Sequence, residues 1–133
     1  MSRLWLPYRV RDLAAAETFL TKRLGMSIVD WWDRDGEVGR VLAFADDPAA
    51  PVSGPAPPER AGWGGPVVEL VSAADDRADP PAIELASVAA VDAMARRFPP
   101  GEVSRPPGRY PRGHYGFEVT MPGGFPLMIW SER

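Results

Sequence analysis

GHYGFEVTMPGGFPLMIW, residues 113–130, is the stretch that decides the fold. Two runs of strand-forming residues, Tyr115–Met121 and Phe125–Ile129, flank Pro122-Gly123-Gly124. Proline favours the start of a turn and glycine supplies its positive φ, so this pattern predicts a β-hairpin. The first strand alternates large apolar residues with small or polar ones, whereas the second strand has no polar position. We therefore expect a sheet with helices on one face and a ligand or partner on the other, although an ordinary core strand has the same periodicity.

Composition limits the class of protein. The 133 residues suit one domain or two small half-domains, and 45% of them are hydrophobic, which is enough for a core. No apolar run approaches the roughly 20 residues of a membrane span, and the N-terminus lacks the apolar segment of a signal peptide. The chain has no cysteine, and a net charge of −3 with interspersed acids and arginines. These features predict a cytoplasmic protein that binds neither nucleic acid nor membrane.

The rest of the chain predicts strands and helices by the same periodicity. The predicted strands are Arg3–Val10, Ser27–Arg34, Glu37–Ala45, Pro66–Ser72 and Ala82–Ser87, and Glu102–Arg109 is either a proline-broken strand or a loop. The predicted helices are Leu13–Leu24, with Asp12 as N-cap and Gly25 as its end, and Ala89–Phe98. Leu13, Ala16, Leu20 and Leu24, with Phe19 beside them, form the expected apolar stripe of the first helix.

Each half of the chain therefore has the element order βαβββ. This duplication predicts an α+β fold of two modules, about 1–73 and about 82–133, within a single domain. A polar linker, residues 74–81, joins them. A Pro/Gly/Ala-rich loop, Asp46–Gly65, lies inside the first module, and loops this long are often lids or mobile segments.

Two short motifs resemble one family. Val10-x-Asp12-Leu13, followed by Phe19 and Leu24-Gly25-Met26, is similar to the opening signature of the vicinal oxygen chelate superfamily. The closing hairpin resembles the family's Asp-Pro-x-Gly turn, with Met121 in place of the aspartate. That superfamily includes glyoxalase I, extradiol dioxygenases, fosfomycin-resistance enzymes and bleomycin-resistance proteins. The resemblance covers nearly the whole chain and implies two βαβββ modules whose mixed sheets curl round a cavity.

The resemblance also locates the metal ligands of the family's enzymes. By position they fall on Trp5, Glu69, a residue near Ala82, and Met128. Only Glu69 can bind a hard or borderline divalent ion, and three or more protein ligands are usual. The only histidine, His114, is not at a ligand position. The residue types therefore predict a site without metal or other cofactor.

The replacements at those positions predict an apolar binding slot. Trp5 and Met128 offer a flat ring and a soft thioether, which suit planar or greasy ligands, and Trp130 lies on the same strand face as Met128. Core or dimer-interface packing is the alternative interpretation of the tryptophans. The other expected wall residues are either Trp31 or Trp32 (with Trp32 taken as the candidate), Trp63 and Tyr110.

Polar groups among these apolar residues could serve binding or catalysis. Glu69 could hydrogen-bond a ligand or transfer a proton with a raised pKa, or it could simply pair with Arg9 or Arg40. His114 could donate to a ligand or act as acid or base, although a lone histidine more often satisfies a backbone carbonyl. Glu84 and Glu118 also lie on predicted strands and could face the cavity.

Two functions remain from different classes. The first is metal-independent sequestration of a hydrophobic, aromatic or polycyclic natural-product antibiotic, as the bleomycin-resistance branch and similar enediyne-binding self-resistance proteins imply. The second is a metal-independent isomerase or cyclase of a polyketide-like substrate that uses Glu69 and His114. The resemblance and the apolar strand faces also predict a homodimer, because a second chain would cover exposed edges and faces.

Overall fold

The computed structural model describes residues 2–45 and 63–132. In these ranges the chain forms nine strands and two α-helices. They are β1 (Arg3–Val10), α1 (Leu13–Arg23), β2 (Ser27–Arg34), β3 (Glu37–Ala45), β4 (Trp63–Ser72), β5 (Arg77–Ala78), β6 (Ala82–Glu84), α2 (Val88–Ala95), β7 (Val103–Arg109), β8 (Tyr115–Met121) and β9 (Phe125–Ser131). Two compact units result: an N-terminal unit, residues 6–79, and a C-terminal unit, residues 1–5 with 80–133. Strand β1 contributes to both units, and the predicted α+β class is confirmed.

The N-terminal unit has the strand order β2-β3-β4-β1, and β5 pairs antiparallel with β1. The predicted turn between β2 and β3 is present, with Asp35 and Gly36 at φ 54° and 76°. Helix α1 begins as predicted, because the Asp12 carboxylate accepts from the Ala15 backbone N–H at 3.0 Å. It packs on one face of the strands. The core on that face contains Met26, Leu42, Val68 and Leu70, with Leu6, Val10, Leu13, Ala16, Leu20 and Ile28 against them.

The C-terminal unit has the strand order β1-β6-β9-β8-β7. Strands β6 and β9 run parallel, and the other pairs are antiparallel. Ser87 caps α2 by accepting from the Ala90 backbone N–H at 3.1 Å. The core between α2 and the strands contains Val91, Phe117, Val119 and Ile129. The decisive hairpin therefore forms as predicted and has one face covered by a helix.

Several predicted boundaries were wrong. Strand β4 begins at Trp63, three residues before the predicted start, so Trp63 belongs to the sheet and not to a loop. The predicted linker contains β5, which pairs Arg77 with Arg9 of β1. Helix α2 starts one residue before the predicted Ala89 and ends at Ala95, not at Phe98. A turn follows the helix, in which the Phe98 N–H donates to the Ala95 carbonyl. The greater part of the predicted loop Asp46–Gly65 lies outside the described residues.

The predicted stripe of α1 was only partly right. Leu13, Ala16 and Leu20 pack on the sheet, but Phe19 and Leu24 are exposed. No residue of α1 is fully buried. A groove of about 370 Å³ lies against this helix. Its lining residues are Tyr8, Arg9, Val10, Ala16, Phe19, Leu20, Val68, Leu70, Asp76 and Arg77.

Candidate functional site

One face of the C-terminal unit carries most of the predicted site. Trp5 is in register with Ala82, Ala82 with Met128, and Met128 with Glu118, so these four residues share a face. Ile129 faces the opposite way, into the core with α2. The four residues therefore lie on the face that α2 does not cover. The β9 alternation places Trp130 there as well.

Four rings on this face are in contact and form what we call the aromatic row: Tyr110, His114, Trp130 and Trp5. The Tyr110 and His114 rings stack with centroids 4.5 Å apart and planes 10° apart. The edge-to-face contacts of Trp130 with His114 and with Trp5 both have centroid separations of 5.3 Å. Offset and edge-to-face contacts are the favoured aromatic geometries.

The turn between β7 and β8 positions the first two rings of the row. The Tyr110 backbone N–H donates to the His114 carbonyl at 2.8 Å, and the Gly113 N–H donates to the Tyr110 carbonyl at 2.8 Å. Gly113 adopts a φ of 97°, which glycine accepts without strain. The Arg109 side chain closes the turn by donating to the Gly113 carbonyl at 2.8 Å. This closed turn brings two aromatic residues four positions apart into a stack.

The polar ends of the row have partners within the unit. Trp5 Nε1 donates to Glu84 Oε2 at 2.7 Å, and Tyr110 Oη donates to Glu118 Oε2 at 2.9 Å. The Arg105 guanidinium lies 3.6 Å above the Tyr110 ring, and its Nη1 is 3.9 Å from Glu118 Oε2. Burial, followed by the hydrogen bond to Glu118, raises the pKa of Tyr110 to about 12. Tyr110 therefore stays protonated and serves as a fixed donor, not as a base.

His114 is held in its neutral form. Burial lowers its pKa, and the positive charges of Arg112 and Arg105 lower it further. A neutral imidazole has one nitrogen free to accept a hydrogen bond or a proton. The row thus contains an acceptor between two aromatic neighbours.

The titration of His114 is directly measurable because it is the only histidine in the chain. Its C2 proton should give one resolved NMR signal, with a midpoint below the 6.5 of an unperturbed histidine. The Arg112→Gln substitution should raise that midpoint because it removes one of the charges that lower it. A midpoint at or above 6.5 in the native protein would contradict this description of the row.

The N-terminal unit carries Glu69 and Trp32. Glu69 is in register with Val41 on β3, while its neighbour Leu70 faces α1, so the Glu69 side chain is on the face opposite the helix. Burial is the main cause of a raised pKa at Glu69; Arg9 opposes this effect and Asp79 adds to it. Arg9 itself is paired with Asp79 at 3.0 Å. The alternative interpretation paired Glu69 with Arg9, but the ion pair that Arg9 forms in the structure is with Asp79.

Because the pKa of Glu69 is raised in the folded state, the free energy of unfolding should depend on pH. The folded state holds this proton more tightly than the unfolded chain, so stability is lost as pH rises from about 4.5 through the folded-state pKa. Glu69→Gln cannot ionise and should escape this loss. Urea unfolding at pH 4.5 and 7.5 should therefore show the variant gaining stability relative to the native protein at the higher pH. A matched exposed control, Glu102→Gln, should show no such gain.

Trp32 is held by its own unit. A Cβ placed on Gly39 would overlap the Trp32 indole, so the ring packs directly on this glycine of β3. Its Nε1 donates to Glu37 Oε1 at 2.9 Å. Trp31 faces the other way and is exposed. Trp32, and not Trp31, therefore lies on the same face as Glu69. Its ring packs on β3. The side chain of Trp63 lies outside the described residues.

The predicted site residues therefore fall into two groups. Trp5, Tyr110, His114, Met128 and Trp130 belong to the C-terminal unit, whereas Trp32, Trp63 and Glu69 belong to the N-terminal unit. Sequence reasoning missed Arg105, because it lies on β7 between two register shifts next to Pro106-Pro107. Strand periodicity assigns no face across such irregularities. Glu84 and Glu118 were suggested as facing residues, and their partners could not be predicted.

The described residues do not fit a metal ion. Within residues 2–45 and 63–132 there is no group of three or more His, Cys, Asp or Glu side chains arranged to hold one. The same part of the chain contains no helix long and apolar enough to cross a membrane.

Comparison with known proteins agrees with the fold. The sequence profile of the Glyoxalase/Bleomycin resistance protein/Dioxygenase superfamily matches residues 4–129. No curated protein sequence gives a significant match.

Solved structures with the same fold differ widely in sequence. A glyoxalase/bleomycin resistance protein/dioxygenase superfamily member from Vibrio splendidus 12B01 is 12% identical over 98% of this chain and 99% of its own, with a TM-score of 0.58. Methylmalonyl-CoA epimerase from Mycobacterium tuberculosis is 17% identical over 97% and 86%, with a TM-score of 0.59. A Mn(II)-bound glyoxalase from Novosphingobium aromaticivorans is 22% identical over 99% and 40%, with a TM-score of 0.56.

At these identities the similarity to solved structures shows the fold alone. The profile match covers both units, and it confirms the resemblance suggested by the opening motif and the closing hairpin. The chain belongs to the glyoxalase/bleomycin resistance protein/dioxygenase superfamily.

Proposed function

We propose that this protein binds a hydrophobic, aromatic or polycyclic natural product and sequesters it without a metal, as an antibiotic self-resistance protein would. The observation that carries this proposal is the aromatic row beside Met128 on the helix-free face of the C-terminal unit. The proposed compartment is the cytoplasm, which suits a chain without cysteine.

The partly exposed members of the row are the expected contact surface. Trp5 and Trp130 are only 5% and 9% exposed, so they lie beneath the contact surface and pack against the residues that form it. Tyr110, His114 and Met128 are half-buried. The two faces of the Tyr110 ring are in contact with Arg105 and His114, so Tyr110 would present its ring edge to a ligand and Met128 its thioether. A planar ligand packed against His114 would extend a stack that already exists. Met128 would adapt to ligands of different outline.

Titration of tryptophan emission with a panel of fused-ring natural products tests this proposal. Binding should quench the emission, and the compound recovered by chromatography and mass spectrometry should be unchanged. Tyr110→Ala should weaken binding roughly 5- to 10-fold, because one edge-to-face aromatic contact contributes about 1 kcal/mol beyond its area and because the His114 ring loses the neighbour it stacks on. The matched control is Tyr8→Ala in the N-terminal unit, which should leave the affinity unchanged. If no compound in the panel quenched the tryptophan emission, the proposal would be refuted.

A metal-independent enzyme remains the second candidate, and one observation favours it. The lowered pKa of His114 leaves a neutral imidazole on the proposed contact surface, where it could accept a proton from a bound compound. In that case the recovered compound would be altered by the native protein and unaltered by His114→Gln, and Glu69→Gln would show separately whether the second predicted residue is needed. Sequestration predicts no alteration by any of the three proteins.

We also propose that the protein is a homodimer and that the surface around α1 is the contact. Tyr8, Phe19 and Leu24 are exposed there beside the groove of about 370 Å³. A second copy would remove this apolar surface from water. Sedimentation at micromolar concentration should give a dimer, and Phe19→Glu should give a monomer. Thr18→Glu, an exposed neighbour on the same helix, is the control and should remain a dimer. A monomeric native protein would refute the proposal.

A further inference from the structure

The N–H and O–H donors of the aromatic row differ in their hydrogen-bond partners. Trp5 Nε1 donates to Glu84 at 2.7 Å, and Tyr110 Oη donates to Glu118 at 2.9 Å. Trp130 Nε1 is the exception, because within the part of the chain that the structure describes no oxygen or nitrogen accepts a hydrogen bond from it. Carboxylates of the same unit therefore satisfy two of these donors, whereas the Trp130 N–H has no acceptor among the described residues.

Burial makes this N–H unusual. Trp130 is 9% exposed, and buried tryptophans usually find a hydrogen-bond partner for the indole N–H. A buried donor without a partner lowers stability, because it lost its hydrogen bond to water on folding. The rings of Trp5 and His114 contact Trp130 edge to face, and a ring face is a much weaker acceptor than an oxygen. The row therefore contains an unsatisfied donor between two of its rings.

The position of Trp130 places this donor where the proposed ligand would bind. Met128 and Trp130 lie on the helix-free face of β9, while Ile129 between them packs into the core with α2. Met128 and His114 are half-buried neighbours of the indole on that face. The Met128 side chain is flexible, so a small polar group of a ligand can pass it more readily than a ring can.

We infer that the ligand of the aromatic row carries a carbonyl or a similar uncharged oxygen acceptor, and that Trp130 Nε1 donates to this oxygen. This inference rests on the proposed binding function. Aryl ketones, quinones and aromatic amides combine such an oxygen with a flat ring. The ring would pack against His114 and Met128, and the oxygen would reach between them to the indole. A hydrocarbon of the same shape would leave the donor without a partner.

Two probes of the same outline separate the hydrogen bond from ring packing. They are 2-acetylnaphthalene and 2-isopropenylnaphthalene, in which a CH2 group replaces the carbonyl oxygen. The chain has five tryptophans, so an isotope-labelled sample should give five indole N–H signals in NMR spectra. The Trp130 signal is identified by its loss in Trp130→Phe or by its proximity to the His114 ring.

The Trp130 signal should respond to the oxygen of the probe. At saturation, 2-acetylnaphthalene should move it downfield, as a new N–H···O hydrogen bond does, and 2-isopropenylnaphthalene should not. The Trp5 signal is the internal control, because its N–H already donates to Glu84, and it should not move downfield with either probe.

The affinities of the two probes, measured by equilibrium dialysis, give the matched test. Trp130→Phe keeps a ring and removes the N–H, so the preference for 2-acetylnaphthalene over 2-isopropenylnaphthalene should fall about fivefold or more. Trp31→Phe removes an exposed indole N–H outside the row and should change this preference by less than about twofold.

The outcomes distinguish this inference from the proposed function. If both probes bind and the Trp130 signal does not move downfield with 2-acetylnaphthalene, the inference is overturned and the aromatic binding function stands. A preference that is unchanged in a folded Trp130→Phe protein has the same meaning. If neither probe binds, the inference and the binding function are both overturned.

Discussion

Trp130→Ala is expected to lower the free energy of unfolding by about 3–5 kcal/mol, the usual range for truncating a buried tryptophan. Trp130 is 9% exposed and lies between the Trp5 and His114 rings. Its loss would leave a void on the face of β9 and break both edge-to-face contacts at once. Nothing else in the row could close that gap, because Tyr110 and His114 are fixed by their turn.

Urea unfolding followed by circular dichroism measures this effect. The matched control is Trp31→Ala, which removes an indole that is 43% exposed and should cost about 1 kcal/mol or less. Trp130→Phe should fall between the two, because a smaller ring refills part of the space. Equal costs for Trp130→Ala and Trp31→Ala would contradict the placement of Trp130 as the centre of the row.

Gly116→Ala should also destabilise the fold, by about 1–3 kcal/mol or more, through overpacking. A Cβ at this position would lie 2.5 Å from the Ile129 carbonyl oxygen and 2.9 Å from the Trp130 Cβ. The first of these atoms is backbone in the paired strand, so it cannot move without disturbing the ladder between β8 and β9. Gly116 therefore allows β9 to carry Trp130 close against β8.

The chain supplies an exact neighbour as the control for this substitution. Gly108 on β7 is in register with Gly116, yet a Cβ there would meet nothing nearer than 4.0 Å. Gly108→Ala should change the unfolding free energy by no more than about 0.5 kcal/mol. If thermal unfolding of the two variants gave the same midpoint, the close approach of β8 and β9 at Gly116 would be wrong.

Much of the C-terminal unit could be predicted from the sequence. The alternation in β8 and the unbroken apolar run of β9 indicated a core face and a second apolar face. Phe117 and Ile129 lie on the core face, and Met128 and Trp130 lie on the other face. That a ligand or partner covers this second face stays a prediction. Periodicity sufficed here because the hairpin is regular from Tyr115 to Ser131, with no register shift.

The contacts that define the row could not be predicted. Tyr110 and His114 stack because of a specific closed turn, and Arg105 reaches Tyr110 across two register shifts in β7. Neither feature follows the regular side-chain periodicity of a strand or a helix, so sequence patterns do not indicate it. The burial of Trp5 depends on the parallel pairing of β6 with β9, which brings distant parts of the chain together. The position of Trp5 was predicted from a family resemblance, but its partner Glu84 was not.

The NMR signal of His114 gives the most direct test of whether the aromatic row is a ligand-binding face, because His114 belongs to the row. Because His114 is the only histidine, its C2 proton can be followed by NMR while 2-acetylnaphthalene or 2-isopropenylnaphthalene is added to the native protein. Ligand binding on the aromatic row should give a saturable shift of this signal, with the same dissociation constant as tryptophan quenching gives. Saturable quenching with the His114 signal unmoved would place the ligand elsewhere and contradict binding on the row.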